Sequence, residues 1–394
     1  MIGVSKLLWG LETESDGLRY EDPSSKVKQI KHEGRHRNKP VVVWNATVKC
    51  NLSCRHCYSS AKLSSHPSEL TTAEAKGLID DLHEFGTPVL LFSGGEPLMR
   101  DDIFELIDYA SGRGLRTVLS TNGTLLSSEI TSNLVEAGVD YVGVSIDGLE
   151  ETNDEFRGQE GAFRKALRGI KNCIDAGVKV GLRYTITRYN AHQLEEMIDL
   201  LREEGVDRYC FYHLAYSGRG EEIQKHDLSK NETRERVRSL FTMSLDLYEQ
   251  GEDIEILTVG NYVDAPFLYL YAKEKLGENR AKKIYTFLKR NGGDGTGETI
   301  ADIDFRGNVH PNQFWRDYTF GNIRNRPFQK IWTDTSDPVM KGLKNKEDYL
   351  KGKCANCRFL KICKGGSRVR ALKVKGDIWA PDPKCYLFKE EISG

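Results

Sequence analysis

Cys50-Asn-Leu-Ser-Cys54-Arg-His-Cys57 puts three thiols within eight residues, directly after the apolar run Val41-Val42-Val43-Trp44. Three thiolates are one short of the four that fully ligate an iron-sulfur cube. A cube held this way keeps one iron free of protein ligands, and a small molecule carrying an amine and a carboxylate can chelate it. The same trio could make most of a zinc site, with His56 as the fourth ligand, although structural zinc loops usually present CxxC knuckles. Spacing alone leaves both readings open, together with scattered structural thiols.

Working outward, the 394 residues exceed an average single domain and suggest a catalytic barrel with a smaller appendage. A formal net charge of −1 removes the usual electrostatic case for nucleic acid, which needs a basic face. No apolar run of about 18 residues predicts a membrane span, and the start, Met1 to Gly10, does not read as a signal peptide. The chain is therefore expected in the cytoplasm. Nine cysteines in such a chain point to metal or redox work rather than disulfides. Seven fall into two groups, while Cys173 and Cys210 stand alone and read as small buried apolar residues.

Residues 1–40 are polar, basic towards their end (Lys26, Lys28, Lys31, His32, Arg35, His36, Arg37, Lys39), and read as a solvated arm, or as a strap bringing cations to a multiply carboxylated substrate. From residue 41, short β-branched runs alternate with amphipathic helices. Strands are predicted at 41–47, 88–92, 115–119, 140–146, 179–185 and 207–212, with helices near 72–85, 101–112, 127–137, 161–176 and 191–204. Gly86, Gly114, Gly138, Gly177 and Gly205 punctuate each helix-to-strand step, where a left-handed cap is wanted. The expected fold is α/β: a partial (β/α)6 TIM-like barrel over 41–220, a helical connection over 221–290 that includes a helix from Ala265 to Arg290, and a small iron-sulfur domain over 291–394. A hairpin is predicted at Ile300–Phe305 and Asn308–Pro311. The chemistry of such a barrel lies at the C-terminal strand ends, and polar turns gather there: Ser93-Gly94-Gly95-Glu96-Pro97, Ser120-Thr121-Asn122-Gly123, Ser145-Ile146-Asp147-Gly148 and Arg183-Tyr184-Thr185.

CxxxCxxC followed by Gly94-Gly95-Glu96-Pro97 at the next strand end resembles the signature of the radical S-adenosylmethionine (SAM) superfamily. That resemblance implies a 4Fe-4S cube on Cys50, Cys54 and Cys57, with SAM chelating the open iron and yielding a 5'-deoxyadenosyl radical. It implies that Gly94, Gly95 and Glu96 meet the methionine amine, that Ser145 and Asp147 reach the ribose with Ser120 and Asn122 beside them, that Arg183 pairs with the methionine carboxylate, and that His56 lies against adenine. More ordinary roles stand beside these: Ser145 and Asn122 closing turns, Arg183 in a surface ion pair.

The later set, Cys354, Cys357, Cys363 and Cys385, resembles a SPASM domain shortened to a twitch domain. Asn312 and Ser367 stand where the full pattern has cysteines, which implies one closed auxiliary 4Fe-4S cluster and an electron-transfer role for it. A four-cysteine zinc knuckle is the alternative. The stretches Val4-Ser-Lys-Leu-Leu8, Cys57-Tyr-Ser59, Leu119 to Leu125, Gly218-Arg-Gly220 and Val309 to Trp315 are similar to the enzymes of siroheme-dependent haem synthesis. The activity implied is oxidative removal of two acetate side chains from 12,18-didecarboxysiroheme, giving Fe-coproporphyrin III, with the auxiliary cluster as electron acceptor. Related propionate removal, propionate-to-vinyl conversion and radical SAM peptide modification are the alternatives. Expected partners are the tetrapyrrole and a small electron donor such as ferredoxin or flavodoxin. Arg19, Arg35, Arg37 and His310 are candidates to meet the substrate's carboxylates or its iron.

Overall fold

The computed structural model describes residues 1–14, 16–20 and 39–393. Arg35, Arg37 and the other basic residues expected between 26 and 37 lie outside the described residues. Among the described residues, eleven strands form one sheet: β1 (Ile2–Gly3), β2 (Val41–Thr47), β3 (Val89–Gly94), β4 (Arg116–Thr121), β5 (Tyr141–Ser145), β6 (Val180–Ile186), β7 (Arg208–His213), β8 (Glu255–Val259), β9 (Ile300–Ile303), β10 (Asn308–His310) and β11 (Gly321–Asn322). Their order is β1-β8-β7-β6-β5-β4-β3-β2-β9-β10-β11. The run from β8 through β2 to β9 is parallel, and the six central strands coincide with the six read from the sequence. All five glycines at the helix-to-strand steps have φ between 72° and 85°.

Alternation along the strands separates two faces. Trp44, Phe92, Leu119, Val142, Leu182 and Phe211 are wholly buried and pack with helix residues such as Leu78, Ile107 and Ile170 in one core. The opposite face carries Asn45 beside Ser93, Ser120 beside Gly143, and Ser145 beside Arg183. Helices cover the first face, so the second is the polar inner wall of a partial barrel.

Three features depart from the sequence reading. The first residues are not a solvated arm: β1 pairs antiparallel with β8, and Val4–Leu8 forms a buried helical turn. Isoleucine, valine and leucine at positions 2, 4, 7 and 8 supply enough apolar surface to dock it. Arg19 sits at the opposite end of the barrel from the cysteine loop, its Nη2 2.7 Å from Glu255 Oε1 at the start of β8, so it does not meet a substrate at the strand ends. Second, the connection at 221–290 contains β8, and its last predicted helix is two, Asp264–Leu276 and Glu278–Asn291, parted at Gly277 with φ 82°. Third, the C-terminal hairpin lies in the main sheet, because β9 pairs parallel with β2 from Val41↔Ile300 to Trp44↔Ile303.

Candidate active site at the strand ends

The cysteine loop leaves β2 after a register shift between Asn45 and Thr47. Cys50 and Cys54 are buried and Cys57 is half-buried. Burial pushes the Cys50 thiol up to about 12, and the neighbouring Glu96, Cys54 and Cys57 push the same way. A metal overcomes such a shift by taking the proton's place on sulfur. Among the described residues no three Cys, His, Asp or Glu side chains converge on one point as ligands of a single ion do. Ligands of a cube each take a different iron and need not converge.

Two arginines that the sequence reading did not assign hold this loop. Arg157 donates from Nη1 to Cys54 Sγ at 3.7 Å and forms a close ion pair with Asp147. Arg219 donates from Nε to the Cys54 carbonyl at 2.8 Å and from Nη1 to the Ala61 carbonyl at 3.1 Å, while its own N–H reaches the Cys57 carbonyl at 3.0 Å. A Cβ at Gly218 would fall 2.5 Å from the carbonyl oxygens of Cys57 and Tyr58. Gly218-Arg219-Gly220 is therefore a clasp on the loop.

Gly94 and Gly95 owe their identity to the same loop. A Cβ on Gly94 would lie 2.4 Å from the Thr47 carbonyl oxygen, and one on Gly95 2.2 Å from that of Lys49. Close approach to backbone explains them here. Glu96 beyond them is wholly buried. Its carboxylate accepts from Thr121 Oγ1 at 2.7 Å, Asn122 N–H at 2.7 Å and Leu98 N–H at 3.2 Å, and among the described residues no cation pairs with it. Burial lifts its pKa to about 7 despite those hydrogen bonds.

Across the inner wall the charge situation is reversed. Arg183 on β6 reaches over Gly143 on β5, where a Cβ would stand 2.1 Å from its Nε, and donates to Ser120 Oγ on β4 at 2.8 Å. Among the described residues no carboxylate is within ion-pair distance of it, and the polar groups around it are Tyr212, Tyr141, Cys210 and Tyr58. A buried carboxylate without a cation and an arginine without an anion thus share one polar lumen. That pair of deficits fits a ligand carrying both an ammonium and a carboxylate.

The other expected contacts divide. Ser145 ends β5 half-exposed, with no side-chain hydrogen bond among the described residues, and its hydroxyl is open. Asn122 closes its own turn, accepting from Thr124 N–H at 2.9 Å and donating to Asn51 Oδ1 at 2.8 Å. Asp147 is wholly buried: Oδ1 accepts from Thr185 N–H at 2.6 Å, and Oδ2 faces Arg157 and, at 3.4 Å, His56 Nε2. Its carboxylate anchors the cysteine loop rather than standing open to a ribose. His56 stacks on Phe156 with centroids 4.5 Å apart and planes 7° apart, and burial lowers its pKa to about 4, so it is neutral. His310 is buried, its Nδ1 2.7 Å from the Tyr318 carbonyl and its Nε2 3.5 Å from Asp304.

The second group of thiols lines a cavity closed by Val263, Phe359 and Leu387. Cys363 is pushed well above the ordinary thiol value by burial and by Cys385, Cys354, Asp382 and Cys357 around it. Asn312 and Ser367 have structural work instead: Asn312 Nδ2 donates to Thr296 Oγ1 at 2.6 Å, and Ser367 caps the helix Arg368–Lys375. From Cys385 a polar chain runs inward, Tyr386 OH donating to Asp264 Oδ1 at 2.6 Å and Asp264 Oδ2 meeting His213 Nε2 at 2.9 Å, on the last residue of β7. Cys173 and Cys210 are buried in the core and strand as expected.

This fold and these two thiol groups define the class. Residues 44–241 match the radical SAM superfamily and residues 296–358 an iron-sulfur cluster-binding domain of the SPASM type. The chain belongs to the radical SAM superfamily, and SAM and 4Fe-4S clusters are its cofactors. It is 49% identical to the Fe-coproporphyrin III synthase of Methanosarcina barkeri, over 100% of this chain and 99% of that one. It is 41% identical to the pre-heme d1 synthase of Dinoroseobacter shibae, over 90% and 87%. Among solved structures, Streptococcus suis SuiB bound to its precursor peptide matches with a TM-score of 0.70 at 19% identity, over 89% of this chain and 76% of that one, a likeness of fold.

Proposed function

We propose that the protein removes two acetate side chains from 12,18-didecarboxysiroheme to give Fe-coproporphyrin III. The observation that carries this reading is the 49% identity to an Fe-coproporphyrin III synthase over the full length of both chains. Cys50, Cys54 and Cys57 would hold one 4Fe-4S cluster, and Cys354, Cys357, Cys363 and Cys385 a second. Glu96 would receive the methionine ammonium, Arg183 its carboxylate, and Ser145 a ribose hydroxyl. When bound, these groups supply a 5'-deoxyadenosyl radical able to take a hydrogen atom from the substrate. The chain's own residues fix the thiol loop, neutralise the ligand's two charges and keep the lumen polar.

A small acidic electron carrier, ferredoxin or flavodoxin, would serve the clusters. No helix among the described residues is long and apolar enough to cross a membrane, and nine unpaired thiols suit a reducing compartment, so the cytoplasm is the proposed location. The deciding experiment is anaerobic incubation of reduced, cluster-loaded protein with SAM and the tetrapyrrole, followed by mass spectrometry. Loss of two acetates supports the reading; propionate loss or vinyl formation assigns the protein to a related reaction.

Two variants probe the parts. Cys357→Ala should leave 5'-deoxyadenosine formation measurable while product stalls before the second acetate is lost; full deacetylation at the ordinary rate would remove the auxiliary cluster from the reaction. Glu96→Gln should abolish a pH dependence of SAM binding. With its pKa raised from 4.5 to about 7, Glu96 holds its proton below 7 in the ligand-free protein, and its contribution to the fold is full below 4.5 and declines above it. That contribution is lost as pH rises through 7. An ammonium needs the ionised form, so wild-type affinity should weaken up to about tenfold for each pH unit below 7, about 1.4 kcal/mol. Titration calorimetry should show that slope flattened in Glu96→Gln.

A further inference from the structure

We infer that the outer side of the second thiol group is a docking face for an acidic one-electron carrier, centred on Lys353, Arg358 and Lys361. The inference rests on the proposed second cluster and adds where its redox partner binds. Residues 351–364 carry five basic side chains and no acidic one, in a chain whose net charge is −1. Two of the five are neutralised, Lys351 by Asp377 at 2.7 Å and Lys364 by Glu298 at 2.6 Å. Lys353, Arg358 and Lys361 are exposed and form no ion pair among the described residues. Arg358 instead lies over the Phe359 ring, 4.7 Å from its centroid, which holds the guanidinium against the thiol cavity that Phe359 lines.

The cations are placed where an electron would pass. Lys353 directly precedes Cys354 and Arg358 directly follows Cys357, and the charges of both reach the Cys357 thiol. Cys357, like Cys363 and Cys385, is half-buried, whereas Cys354 is buried, and the residues on either side of Cys357, Asn356 and Arg358, are exposed. Two acidic groups in the surroundings are engaged elsewhere, Glu278 with Lys273 at 2.9 Å and Glu391 with Arg234 at 2.6 Å. On the inner side, Cys385 continues into Tyr386, Asp264 and His213 at the end of β7. The cluster position therefore has a positive outer rim and a polar inner connection to the barrel mouth. Three unpaired cations around a half-buried thiol of the proposed cluster attract a partner of negative charge and raise its encounter rate in a salt-dependent way. The exchange is a single electron, passed on from the cluster to the carrier in turnover and run in reverse from a reduced carrier in the test below: one loses what the other gains, with no bond made or broken.

The test mixes full-length, cluster-loaded protein, without SAM, with a reduced acidic ferredoxin, and follows reduction of the second cluster by freeze-quench EPR. Lys353→Glu/Arg358→Glu/Lys361→Glu should slow that reduction at least about tenfold and remove its dependence on salt. Reduction by a neutral small molecule, photoreduced deazaflavin, should be unchanged. Equal rates with ferredoxin in wild type and variant overturn the docking face. Absence of a second cluster signal in the wild type instead overturns the reading it rests on. If the triple variant fails to load iron, Lys353→Glu and Lys361→Glu singly decide the question, each expected to slow ferredoxin by about threefold.

Discussion

Cys54→Ala is expected to end 5'-deoxyadenosine formation altogether and to remove about four of about eight irons from the reconstituted protein, because two thiolates do not retain a cube whose fourth iron has no protein ligand. The position is the most committed of the trio. Its sulfur receives Arg157 at 3.7 Å and its carbonyl receives Arg219 at 2.8 Å, so the proposed ligand is also an anchor of the loop. The measurement is anaerobic: iron and sulfide content, then chromatographic detection of 5'-deoxyadenosine with SAM and reductant. Residual cleavage at the wild-type rate would mean that a different group binds SAM, and the assignments of Glu96 and Arg183 would go with it. The EPR signal of the second cluster should survive, since its four thiols lie in a separate cavity.

Arg157→Met should cost roughly 3–5 kcal/mol of stability, the usual result of leaving one partner of a buried ion pair uncompensated. Asp147 is wholly buried and Arg157 9% exposed, so little water would reach the abandoned carboxylate. The double variant Asp147→Asn/Arg157→Met should recover most of that loss, because replacing both partners leaves no buried charge. Denaturant unfolding of the two variants against wild type measures the difference. A loss below about 1 kcal/mol in the single variant, the range of an exposed pair, would show that the pair contributes little to the fold.

Much of this was legible in the chain because it is local. Six strands announced themselves as β-branched runs closed by glycines, and both thiol groups are contiguous enough to read by eye. The parts that were not legible depend on partners far apart in sequence. Glu255–Val259 is a five-residue run among charged helices, and only its pairing with β7 and β1 makes it a strand. Arg157 lies in the helix Glu150–Arg157, whose strongly charged sequence reads as a solvated face. Nothing local shows that it turns inward to meet Asp147 and Cys54. For the same reason nothing local shows that Asp147, at the end of β5, meets Arg157 and His56. The two glycines before Glu96 show a further limit: their need for space was readable, but the structure fills it with the carbonyls of Thr47 and Lys49. What the sequence could have offered for Arg219 is its setting between two glycines, a common sign of backbone held close to backbone.

The parallel ladder between Val41–Trp44 and Ile300–Ile303 also governs geometry over a longer range. It makes the hairpin next to the C-terminal metal-binding region a rung of the same framework that launches the Cys50 loop. The spacing between the two thiol groups, and between any clusters they hold, is thereby set by main-chain hydrogen bonds rather than by a swinging tether. Tunnelling between them would be tuned by the stiffness of β-structure, and a fragment ending before Ile300 would bare the β2 edge to association with other copies.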